Sequence, residues 1–216
     1  MIDLNDIFNT SEDKSKSFVG HIPDNIKYIL QSAKGKAIIA GSYALKLFDL
    51  SNPVEFEADD VDFWMMDNNW ESTSFKSMWK EIHDQGYKKT QRHQDVIQFE
   101  HSHKTKIQLI TPWYGKSYSN PFEIIRGFDL TQCQVGFDEN NFYWTSDCGY
   151  AISKRMQFCK VENVENIRRT AQRILKYDRR GFKGEEALNQ LMSYASLHPD
   201  KIVSSSKNYM HKSLVP

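Results

Sequence analysis

The chain has 216 residues, of which 39% are hydrophobic, 26% charged and 13% aromatic; this composition suits one packed domain with a helical appendage and excludes a disordered or collagen-like chain. Apolar runs such as Ala37 to Ala40 are far too short for a membrane span, and the acidic start Met1-Ile2-Asp3-Leu4-Asn5-Asp6 lacks the apolar segment of a secretory signal. Cys133, Cys148 and Cys159 show no C-x-x-C spacing, which points away from a disulfide framework or a cysteine zinc site and toward a reducing cytoplasm.

The 28 Lys+Arg balance 28 Asp+Glu. The balance conceals an asymmetry: from Lys154 onward there are 13 basic and 6 acidic side chains, against 15 and 22 before it. An acidic body with a basic C-terminal region suits a metal site beside a phosphate-binding surface, or equally two lobes that attract each other. The expected organisation is a flexible arm over 1–20, a core over 21–150 and a basic helical region over 151–216.

In chain order, Pro23-Asp24 opens a helix that Gly35 closes. Ala37-Ile38-Ile39-Ala40 reads as a buried strand, followed by Gly41-Ser42 and a helix over Tyr43 to Leu50, until Asn52-Pro53 breaks it. Val54 to Met66 reads as a strand, because Val61, Phe63 and Met65 alternate with Asp60, Asp62 and Trp64. Glu71 to Gly86 reads as a helix whose stripe is Phe75, Met78, Trp79 and Ile82. Tyr87 to Glu100 and Lys104 to Ile110 read as paired strands turning at His101-Ser102-His103-Lys104. Asn120-Pro121 begins a short helix to Phe128. Leu130 to Phe137 and Phe142 to Thr145 read as strands, Asn163 to Asp178 as a basic helix, and Ser204 to Pro216 as a fraying end. The fold class is α+β, with a mixed sheet and helices packed on it.

Two features carry chemistry. Gly41 lets the backbone approach a ligand closely, and the Ser42 hydroxyl and the amides after it make an anion site, although a Gly-Ser bend is more often only a turn. Asp60 and Asp62, two apart on a strand, project from one face. Such a pair repels itself unless a cation or water lies between, so it reads either as a magnesium site or as a solvated strand edge. A third feature is the helix with the apolar stripe Ile167, Ala171, Ile174 and Leu175, on which Arg168, Arg169, Arg173, Lys176, Arg179 and Arg180 occupy the remaining surface. It reads either as a solvated face or as a contact for phosphate, with Tyr177 and Phe182 as stacking or core residues.

Together, Gly41-Ser42 at a helix start and Asp60-Val61-Asp62 on the next strand resemble the nucleotidyltransferase superfamily related to DNA polymerase beta. The resemblance covers about a third of the chain, from Lys36 to Ile110. It implies that Gly41 and Ser42 hold the β- and γ-phosphates of an incoming NTP, and that Asp60 and Asp62 bind magnesium or manganese. Arg173 and Lys176 are further candidates for nucleotide binding. The activity implied is transfer of a nucleoside monophosphate to a hydroxyl on RNA, a protein or a small molecule, with release of pyrophosphate. The family's third carboxylate has its natural counterpart at Gln108, which can ligate a metal weakly and cannot act as a base. Asp129 is the candidate to enter the site instead, ahead of Glu57 and Asp95. Phe128-Asp129-Leu130-Thr131-Gln132-Cys133-Gln134 and Leu175 to Phe182 are similar to stretches in nucleotidyltransferase-like proteins of bacteriophages and large DNA viruses, which implies the host cytoplasm as the compartment. The rival reading is a degenerate member of this fold that binds nucleotide, nucleic acid or a protein partner as a viral accessory factor. His101 with His103 as a metal pair and Trp113-Tyr114 as a nucleobase pocket are weaker candidates.

Overall fold

The computed structural model describes residues 13–17, 22–49, 52, 54–93, 95–112 and 117–203. Its centre is an eight-stranded sheet. In chain order the strands are β1 (Lys14–Ser17), β2 (Ala37–Ala40), β3 (Asp60–Met65), β4 (Lys88–His93), β5 (Val96–His101), β6 (Lys104–Ile110), β7 (Val135–Phe137) and β8 (Asn141–Trp144). Across the sheet they run β1-β8-β7-β2-β3-β6-β5-β4. β3 and β6 are parallel and the other pairs antiparallel, so the sheet is mixed, as the α+β reading requires.

The helices are α1 (Asp24–Ser32), α2 (Ser42–Phe48), α3 (Thr73–Asp84), α4 (Pro121–Ile125), α5 (Ser146–Lys154), α6 (Ile167–Asp178), α7 (Glu185–Leu197) and α8 (Asp200–Val203). Ser72, Asn120, Thr145 and Asn166 cap α3, α4, α5 and α6 by accepting a backbone N–H one turn on. Val61, Phe63 and Met65 of β3 pack with Ile107 and Leu109 of β6 against α1, α2 and α3. The opposite face carries a smaller cluster in which Ile38 and Ala40 meet Ile124 and Ile125 of α4. Because successive strand residues alternate faces, Asp60, Asp62 and Gln108 lie on this second face. No helix among the described residues is long and apolar enough to cross a membrane.

The larger core continues into the C-terminal helices through Ile167, Ile174, Tyr177, Phe182 and Leu191. The buried Gln157 ties it further, donating to the carbonyls of Ile174 at 2.9 Å and Phe182 at 2.7 Å. The expected boundary at 150 falls inside α5.

Several elements differ from expectation. Lys14–Ser17, expected within the flexible arm, pairs antiparallel with β8; the other arm residues, except Asp13, and Ser204 to Pro216 lie outside the described residues. The strand expected from Val54 starts at Asp60, because the upstream segment packs on the end of α6 instead. Arg180 donates to the Glu57 carbonyl at 2.8 Å and lies over the Phe56 ring at 4.6 Å. The stretch from Tyr87 is two strands that turn near Asp95, without the glycine or proline that would mark the hairpin in the sequence. Leu130 to Phe137 is strand only from Val135, after a 3-10 turn at Thr131–Cys133. There the buried Gln134 side chain donates to the Phe128 carbonyl at 3.1 Å and accepts from Thr145 at 2.8 Å, holding the chain in a turn. Asn163 ends a 3-10 turn, and α6 begins only after the Asn166 cap.

Candidate active site

The three central strands assemble the site by register. Ala40 lies opposite Asp62 across β2 and β3, while Asp62 lies beside Gln108 and Asp60 beside Lys106 across β3 and β6. The chain leaves β2 through Gly41, whose φ of 82° is open to glycine and strained for other residues. A Cβ at Gly41 would lie 3.2 Å from Asp62 Oδ2. The glycine bend therefore lies against Asp62 of the aspartate pair, and the buried Ser42 follows directly. We expect Gly41→Ala to cost about 1–3 kcal/mol of stability from the backbone alone and to push Asp62 aside. A melting temperature equal to wild type would contradict that geometry.

Asp60 and Asp62 are each half-buried, and burial is the first cause that raises both carboxyl groups. Asp62 Oδ1 is shut off from solvent and finds no hydrogen-bond partner among the described residues. Burial, and then the neighbouring Asp60, push the Asp62 carboxyl up to about 8. Burial also raises Asp60, although Lys176 opposes it. Gln108 donates its Nε2 to Asp60 Oδ2 at 2.7 Å, which leaves its Oε1 as the atom it can offer a cation. The chemistry of the pair fits a divalent cation, with two carboxylates on one strand face and a buried Asp62 oxygen without a partner among the described residues. No cluster of three or more His, Cys, Asp or Glu side chains able to hold a metal occurs among the described residues.

Cations stand beside the aspartate pair. Lys176 pairs with Asp59 at 2.6 Å, and Arg180 approaches the same carboxylate at 3.4 Å. The Lys176 bond holds the Asp59 carboxyl below its usual range. Arg180 is buried, stacks near Phe56 and Tyr177, and its Nη1 has no partner among the described residues. In the sequence Arg180 is one of the basic residues along this helix; it lies beyond the helix end, and its place at Asp59 depends on partners 121 and 123 residues away.

Asp129 is buried and accepts from Thr170 and Arg173. The structure thus sets Gly41 against Asp62 and Gln108 against Asp60, with Ser42 next in the chain and the charge of Lys176 acting on both aspartates, and it pairs Asp129 with Arg173. Glu57 pairs with Lys46 at 2.7 Å, and Asp95 lies at the β4–β5 turn. Tyr177 and Phe182 are core residues, as is Cys133, whose thiol burial pushes up to about 12. His101 and His103 stand with ring centroids 6.2 Å apart and belong to no metal-holding cluster. Trp113 and Tyr114 lie outside the described residues.

Among solved structures, a tRNA-processing enzyme in an apo form matches with a TM-score of 0.57 at 16% identity, over 84% of this chain and 49% of that one. The Thermotoga maritima CCA-adding enzyme complexed with tRNA matches with a TM-score of 0.57 at 13% identity, over 83% and 44%. A tRNA nucleotidyltransferase complexed with a primer tRNA and an incoming ATP analog gives 0.57 at 16% identity, over 79% and 52%. At such identities the likeness shows the fold, that of a nucleotidyltransferase, and the chain spans about half the length of these structures. No curated protein matches the chain. The sequence model described as Gad2, Gabija anti-defense 2 family protein, matches residues 6–155. That span is more than half of the chain and holds the glycine bend, both aspartates and Gln108, and the chain belongs to the Gabija anti-defense 2 family.

Proposed function

We propose that this protein is a metal-dependent nucleotidyltransferase that moves a nucleoside monophosphate from an NTP to a hydroxyl acceptor, releasing pyrophosphate, and that it does so in the cytoplasm of the host cell to counter a defence system. The carrying observation is the approach of Gly41 to Asp62, with Asp62 Oδ1 left unpartnered. Asp60, Asp62 and the Oε1 of Gln108 would hold magnesium or manganese. Bound there, the ion would neutralise the triphosphate and favour ionisation of the attacking hydroxyl. The bare backbone at Gly41 lets the chain turn close to the aspartates, and the amides after it and the Ser42 hydroxyl would face a phosphate bound to the metal. Lys176 and Arg180 stand where negative charge gathers, and they have the chemistry to share it between Asp59 and a polyphosphate. Membership of an anti-defense family supports the counter-defence role, and the tRNA-bound neighbours support RNA as acceptor ahead of protein.

A second reading has its own support. With Gln108 in the third carboxylate's place and Asp129 tied to Arg173, the cleft lacks an obvious base. The chain would then bind nucleotide, nucleic acid or a protein partner without transfer. Incubating the purified protein with α-labelled NTPs, magnesium or manganese, and total RNA or lysate protein separates the two. Label moving to RNA or protein, and lost with EDTA, is the expected outcome. Tight nucleotide binding without transfer would establish the second reading instead.

A further inference from the structure

The last strand of the sheet carries an arrangement that the aspartate cleft does not use. β4 reads Lys-Lys-Thr-Gln-Arg-His. In an unbroken strand Lys89 and Arg92, three apart, would point to opposite faces. The register slips between Lys89 and Gln91, so that Lys89 lies opposite Phe99 and Arg92 opposite Ile97. Phe99 and Ile97 both belong to the core on the α3 side, and the slip therefore raises both cations on that side. There they meet the start of α3.

Trp70, Phe75, Trp79, Lys76, Lys89 and Arg92 line one cleft of about 330 Å³, within the range of small-molecule sites. Its aromatic wall is continuous: Trp70 meets Phe75 edge-on at 4.6 Å, and Phe75 stacks with Trp79 at 6.0 Å. The Arg92 guanidinium lies 5.2 Å from the Trp70 ring centre and the Lys89 ammonium 6.0 Å from that of Trp79. Lys76, at the third corner, pairs with Glu71. Trp70 and Trp79 are half-buried, whereas the three cations are exposed. The cleft lies on the sheet face away from Asp60 and Asp62. β4 pairs only with β5 among the described strands, so no further strand walls its outer side.

We propose that this cleft binds single-stranded nucleic acid, taking one unpaired base against the Trp70 and Trp79 rings with the flanking phosphates on Lys76, Lys89 and Arg92. A base offers a flat π-face to the indoles whatever its identity, and Arg fits a phosphate with its planar fork. An acidic peptide would satisfy the cations but leave the ring wall unused. The edge along β4, which no further strand among the described residues pairs with, gives an oligonucleotide room to run past and extend the contact beyond one nucleotide. This inference does not depend on the transfer reading, because its test scores binding alone.

The test is fluorescence anisotropy of the full chain with an end-labelled uridine oligomer of about a dozen nucleotides, a length of single-strand site size. Wild type should bind. The double charge reversal Lys89→Glu with Arg92→Glu, both exposed and outside the core, should weaken binding by about tenfold or more, and Trp70→Ala by a similar factor. An abasic oligomer of the same length should bind wild type more weakly. The proposal is overturned if wild type fails to bind, if the charge-reversed protein binds equally well, or if the abasic oligomer matches the uridine oligomer. It is also overturned if polyglutamate or free UMP competes as strongly as the unlabelled oligomer.

Discussion

Asp62→Ala is expected to abolish transfer, lowering the labelled product by about a hundredfold or more, an effect of the size seen when one charge-stabilising group leaves an active site. Asp60→Ala should do the same, because the two carboxylates share one face and one cation. The accompanying stability change runs the other way. The folded state holds the Asp62 carboxyl near 8 against an ordinary value of 3.8, through burial first and Asp60 second. A carboxyl raised in this way favours the protonated fold, so stability is fully present below pH 4 and is lost as pH rises toward 8. In metal-free buffer at pH 7.5, Asp62→Asn should therefore stabilise the protein, by on the order of a few kcal/mol, and the gain should vanish near pH 4. Thermal melts of both proteins in EDTA across that range measure it. A variant that lost activity and also melted lower at pH 7.5 would mean that Asp62 supports the fold without being strained by its site.

Asp129→Ala is expected to do the reverse, costing stability and sparing chemistry. Asp129 is buried and receives the hydroxyl of Thr170 and the guanidinium of Arg173, both from α6. Removing it leaves the buried Thr170 hydroxyl without this acceptor and frees Arg173 at the surface. Because Arg173 is 45% exposed, the cost is set below that of a fully buried ion pair, at about 2–3 kcal/mol. For a chain of this size that is a fall of about 5–10 °C in melting temperature. Assayed well below its melting point, Asp129→Ala should transfer label at near the wild-type rate. If its melting temperature were unchanged and its transfer lost, Asp129 would be the missing third carboxylate.

These two residues also mark how far the sequence carried. The period-two alternation from Asp60 to Met65 and the apolar Ala37 to Ala40 run into Gly41 could be read directly, because strand faces follow from parity. That placed both aspartates on one side and the glycine bend at a strand end. It did not place them against each other, since that depends on β2 and β3 pairing with Ala40 opposite Asp62. Long-range partners account for most of the rest. Asp129 looked available until α6, 44 residues on, supplied Arg173. Val54 to Asp59 looked like strand until Arg180, from 123 residues away, engaged Glu57. The β4–β5 hairpin had no turn residue to announce it, and the shared face of Lys89 and Arg92 arises from a register slip that a strict alternation would deny.

The claim beneath the proposed function is that Asp60 and Asp62 hold one divalent cation in a cleft that also takes a nucleotide at Gly41. Manganese binding followed by electron paramagnetic resonance reads this without requiring turnover. Wild type should take up the ion, more tightly when a non-hydrolysable NTP analogue is added, and the Asp60→Ala, Asp62→Ala double variant should take up neither ion nor analogue in that linked way. Equal manganese uptake by the two proteins, with no response to the analogue, would contradict the account.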